Sequence, residues 1–122
     1  MTQPAADARK RIRALLERII EHEVKMVIAD KVDAKYGTAF QTSRGHWQKE
    51  IEGFWREIER ENQTRLRRRG QFFSDDEINQ WKEELIEDGI TSAVHRFGED
   101  MREHGIDADA RWLRKLAEEV YD

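Results

Sequence analysis

The residues most able to do chemistry are arginines. The stretch RLRRRGQFF places Arg65, Arg67, Arg68 and Arg69 within five positions. A guanidinium fork meets phosphate or carboxylate through two parallel hydrogen bonds, so such a cluster can grip an anionic surface. A second run, RKRIR, sets Arg9, Lys10, Arg11 and Arg13 near the N-terminus. If the helices that carry the two runs pack antiparallel, eight basic side chains converge into a patch able to track phosphates or an acidic protein surface. The competing reading is local. Cations in the last turn of a helix oppose the negative end of its dipole, at about 0.3–1 kcal/mol each, and Gly70 then ends the helix. The sequence pI of about 5.6 is far from that of a basic nucleic-acid-binding domain, and no helix-turn-helix, zinc-finger or RNA-module pattern is present.

Other reactive groups give weaker patterns. His95 and Glu99 stand four apart with Glu103 and His104 following, a spacing that can present metal ligands on one helix face. Carboxylate-bridged metal sites in bundles draw Glu-x-x-His pairs from several helices, and the chain has no such pair. His22, between Glu21 and Glu23, reads as part of a solvated charged face. Ser43 precedes His46 by three residues, which local spacing alone does not turn into a nucleophile and its base. There are no cysteines, which excludes disulfides, a thiol nucleophile and thiolate zinc sites. The expectation is a protein without catalytic residues, metal or cofactor.

These residues must be positioned by helices. Pro4 and Asp7 mark a helix start. Ile12, Leu15, Leu16, Ile19, Ile20, Val24, Val27, Ile28 and Val32 then recur at three and four, predicting a first helix over about residues 5–35. Its apolar face is wide enough to meet two neighbours. Gly37 supplies a left-handed cap, and GTAFQTSRG is a loop anchored by Phe40, with Thr42 or Ser43 capping the next helix. That helix carries Trp47, Ile51, Phe54, Trp55 and Ile58. Its apolar stripe fades at Glu61–Thr64, so its last turns are expected to run into solvent.

SDDE at 74–77 is a capping box. Ile78, Trp81, Leu85 and Ile86 follow it, and Gly89 shifts the phase to Ile90, Ala93, Val94, Phe97 and Met101. This predicts a break at 88–91 with Thr91 as a new cap, or a kink. Gly105 before Ile106 reads as a glycine stop, and Asp107 as the cap of a last helix with Trp112, Leu113, Leu116, Ala117 and Val120.

The fold class is therefore all-α: a four- to five-helix bundle, one domain over residues 1–122, with its long N-terminal helix packed antiparallel to the second. One proline and seven glycines suit long helices. Charged residues make up 39% of the chain, and Leu, Ile, Val and Phe about a fifth, so the core is thin. Charge is uneven. Residues 1–73 hold 16 basic and 11 acidic side chains, residues 74–122 hold 6 and 15. A basic half and an acidic half point to an interaction surface or to mutual packing.

The reading that follows is a small non-enzymatic binding protein. It would be an adaptor, regulator or inhibitor acting on a protein partner through charged helical surfaces, with nucleic-acid binding through runs 9–13 and 65–69 as the alternative. Trp55 and Trp112 sit at stripe edges and, with Glu83, Glu84 and Glu87, are the expected protein-interface residues. The wide first helix also favours a homodimer. With no leader-like or membrane-length apolar segment, a cytoplasmic location and no membrane partner are expected.

Overall fold

The computed structural model describes residues 4–66 and 72–122, and among them there are helices and no strand. Helix α1 spans Pro4–Tyr36, α2 Arg44–Glu59, α3 Asp75–Glu84, α4 Ile86–Glu103 and α5 Ala110–Glu119. A 3₁₀ turn, Phe40–Ser43, leads into α2, and a π-helical segment, Arg60–Leu66, continues from it.

Helix α1 is the axis around which the others are laid. Ile12, Leu16, Ile19, Ile20, Val24, Ile28 and Val32 are fully buried along it. Each such side chain contributes about 1.5–3 kcal/mol on leaving water. Helix α2 runs antiparallel to α1, with Arg11 on Glu61 (3.2 Å) at one end and Arg44 on Asp30 (2.7 Å) at the other. Helix α4 runs parallel to α1, since Ser92 bonds Glu17 (3.3 Å) and Arg96 pairs with Glu21 (2.8 Å). Helix α5 returns antiparallel: the Tyr121 hydroxyl donates to Glu23 (3.0 Å), and Trp112 meets Tyr36 edge-on. Helix α3 closes the N-terminal end, with Arg9 over the Trp81 ring and Arg13 on Glu84. The wide apolar face of α1 is thus consumed inside the chain, by four neighbours instead of two.

Several local expectations hold. The Ser74 hydroxyl accepts from the Glu77 N–H while the Glu77 carboxylate accepts from the Ser74 N–H, a complete capping box. Gly37 and Gly105 take positive φ, 67° and 75°, as helix stops. At Gly105 the Ile106 N–H reaches Met101 O and the Gly105 N–H reaches Arg102 O, the two bonds of a Schellman motif.

Others are corrected. The break falls at Leu85, not at 88–91. Leu85 sits at φ −97°, ψ 0°, a region open to any L-residue, so no glycine is needed. Gly89 lies inside α4 for a different reason: a Cβ there would stand 2.4 Å from Ile20 Cγ2, so glycine lets α4 approach α1. Neither Thr42 nor Ser43 caps α2 through its side chain. Ser43 is the cap residue but makes no such bond, and Thr42 Oγ1 donates back to Ala39 O. The entry is held instead by Asp33, which accepts from Thr38 Oγ1 (2.5 Å) and from the N–H groups of Phe40 and Gln41 (both 2.8 Å). Asp109, not Asp107, caps α5, accepting from the Arg111 N–H at 2.9 Å. The end of helix 2 does not simply leave the core either. Asn62 is 3% exposed, and its amide both accepts from the Phe73 N–H (2.7 Å) and donates to the Phe73 carbonyl (2.8 Å).

Candidate functional site: charged grooves at the N-terminal end of the axis

The three acidic residues singled out in the sequence, Glu83, Glu84 and Glu87, come together. With Glu118 and Asp122 they ring a groove of about 440 Å³ whose apolar lining is Ile86, Ile90 and Tyr121. The groove exists because α3 and α4 meet at Leu85, which leaves both helix ends facing the C-terminal turn of α5. Its polarity is lopsided. Arg13 pairs with Glu84 at 2.9 Å. Arg114 pairs with Glu87, and with Glu118 at 3.0 Å. Among the described residues no cation lies within ion-pair distance of Glu83 or Asp122, so five carboxylates face two guanidiniums. Tyr121 is locked as a neutral phenol: burial and the Glu23 carboxylate beside it both push its ionisation well above the usual range.

The basic residues of the first run divide. Arg9, Lys10 and Arg13 line one groove with Ala5, Ala6 and Phe73. Arg11 faces a second groove with Leu15, Arg18, Glu57 and Arg60, and it is committed to Glu61. Phe72, 56% exposed, precedes Phe73 in the chain. The antiparallel pairing does bring the segment 60–66 beside the start of α1, as Arg11–Glu61 shows. Arg67, Arg68 and Arg69 lie outside the described residues, as does the side chain of Arg65.

The two tryptophans are not brought together. Trp55 is half-buried beside Ile58, Asn62 and Ile78. Trp112 is half-buried at the far end of α1, its ring 4.3 Å from Lys35 Nζ. They make no common patch.

The structure also shows buried polar groups that sequence reasoning missed. His22 is 4% exposed, not part of a solvated face. Its Nδ1 stands 2.8 Å from the Arg18 carbonyl, its Nε2 meets the Glu50 carboxylate, and Phe54 packs edge-on against the ring. A carbonyl can only accept, so Nδ1 is the donor there and Nε2 faces the Glu50 carboxylate. Glu50 also takes His46, at 2.9 Å. Burial works against the charged Glu50, but the His22 hydrogen bond and nearby positive charge outweigh it and hold the carboxyl below its ordinary 4.5. Glu21, 2% exposed, meets Arg96 Nε at 2.8 Å as a charge contact without hydrogen-bond alignment. The sequence signal for these was the length of α1: a long axial helix meets several neighbours, and its EHEVK segment lies where they pack, with Glu21, His22 and Lys25 all buried.

His95 and Glu99 form an exposed pair at 3.0 Å. Among the described residues no group of three or more His, Asp or Glu side chains is placed to hold a metal ion. No described helix is long and apolar enough to cross a membrane. Compared with protein-family models, curated proteins and solved structures, the chain has no significant match.

Proposed function

We propose that this is a non-enzymatic binding protein, an adaptor, regulator or inhibitor, whose acidic groove takes a basic, partly apolar segment of a protein partner. The observation that carries the reading is the ring of five carboxylates around Ile86, Ile90 and Tyr121. Such a rim steers a cationic segment and fixes its register, while the apolar lining supplies the burial that charge alone does not. Three of the five carboxylates, Glu84, Glu87 and Glu118, hold internal ion pairs, while Glu83 and Asp122 have none among the described residues. The acidic half of the sequence thus acts by receiving a partner's cations.

Fluorescence anisotropy with a labelled lysine- and leucine-rich helical peptide tests the reading. The parent protein should bind it at low salt, and Glu83→Lys with Glu87→Lys should weaken binding at least about tenfold. A labelled single-stranded oligonucleotide is titrated alongside. If the oligonucleotide binds with a steep salt dependence and the peptide does not, Arg9, Lys10 and Arg13 are the working surface and the acidic-groove reading fails.

A further inference from the structure

The acidic groove and the basic groove share a seam. Arg13 lines the basic groove, Glu84 lines the acidic one, and the two side chains meet at 2.9 Å. Opposite charges set side by side on one molecule are self-complementary under a twofold rotation. An axis through the seam places the basic groove of each copy on the acidic groove of the other, and Arg13 and Glu84 can exchange partners across it.

We infer that the occupant of the acidic groove, in the absence of another partner, is the basic start of α1 of a second copy, so that the chain forms a charge-paired twofold dimer. This rests on the reading of the acidic groove as a docking surface and names one occupant for it. The two grooves match in more than sign. Arg9, Lys10 and Arg13 face Glu83, Glu84 and Glu87, and each groove also carries apolar surface, Ala5, Ala6 and Phe73 on one side and Ile86, Ile90 and Tyr121 on the other. Phe72, the most exposed large apolar side chain described, is the chain neighbour of Phe73 in the basic groove, and a second copy would cover it. A charge-paired contact with modest apolar area is salt-sensitive. A partner's basic segment would have to displace it, which makes the dimer a self-capped form of the binding groove.

Two charge reversals test the pairing. Arg9→Glu with Lys10→Glu reverses the basic groove, and Glu83→Lys with Glu87→Lys reverses the acidic one. Sedimentation velocity should show a dimer for the parent at low salt, with dissociation strengthened roughly tenfold or more by high salt. Each variant alone, with helicity confirmed by circular dichroism, should be monomeric because like charges then face each other. An equimolar mixture should dimerise, since a heterodimer restores opposite charge at both contacts. A monomeric parent at low salt, variants that dimerise as the parent does, or a mixture that stays monomeric each overturn the dimer. The docking reading is separable. The Arg9→Glu, Lys10→Glu monomer keeps an intact and uncapped acidic groove, so it should bind the basic peptide at least as tightly as the parent. Failure there counts against the groove itself, whatever the sedimentation shows.

Discussion

His22 and Asp33 carry more of the structure than their one-letter neighbourhoods announce. Asp33 organises three donors across the α1–α2 turn, and His22 bridges α1 to α2 through Glu50. For Asp33, burial opposes the charge, but the Thr38 hydroxyl and the Gln41 and Phe40 N–H groups prevail and lower its pKa below 3.8. The sign follows from both carboxyls being more acidic folded than unfolded. Their stabilisation is complete above their ordinary values, 3.8 and 4.5, and is lost as pH falls through the lower folded values. Thermal melting should therefore be flat from neutral pH to about 5 and decline below that. Asp33→Asn should melt lower at neutral pH and decline less steeply in acid; an unchanged acid profile would contradict the role given to Asp33. Replacing His22 with Ala should cost about 1–3 kcal/mol in urea unfolding, because the Glu50 carboxylate loses its buried donor. None of this was legible locally. His22 read as part of a solvated face because its burial is decided by neighbours far away in sequence.

At the scale of the elements, helix positions and lengths were legible because apolar periodicity and caps such as Ser74–Glu77 are short-range signals. The meaning of individual interruptions was not. Gly89 looked like a break, yet it is a close approach of α4 to Ile20, while the actual turn sits at a buried leucine with no turn-forming residue type. Two glycine substitutions separate these roles. Gly89→Ala should destabilise by about 1–3 kcal/mol, since the new methyl meets the branched Cβ of Ile20, which cannot swing aside. Gly53→Ala, whose methyl would meet only the tip of Arg56 at 3.9 Å, should stabilise by about 0.5–1 kcal/mol through helix propensity. Urea denaturation of both decides it, and equal effects would contradict the packing assigned to Gly89. Asn62 is the other element-level device. Its amide mimics a paired strand for Phe73, so Asn62→Ala should cost about 1–3 kcal/mol by leaving that peptide without its partners.

Over the whole molecule, the division into a basic and an acidic half was plain in the sequence, and the antiparallel packing of α2 on α1 was expected. What sequence could not supply was adjacency. Glu83, Glu84 and Glu87 are near one another in any helix, but Glu118 and Asp122 join them only because α5 folds back along α1. Trp55 and Trp112 have equivalent sequence signals, yet Trp55 lies beside α3 and Trp112 at the C-terminal end of α1. Complementary charge is used internally, through Arg13–Glu84, Lys82–Glu23 and Arg96–Glu21, and this left only part of the acidic surface uncommitted. That uncommitted part is the proposed binding surface. The most direct test is to map backbone amide chemical shifts by NMR while adding the basic lysine- and leucine-rich peptide to the monomeric Arg9→Glu, Lys10→Glu protein. Perturbations should concentrate at residues 83–90 and 118–122. Shifts centred instead on the groove beside Trp55, or spread without focus over the acidic surface, would contradict the proposal.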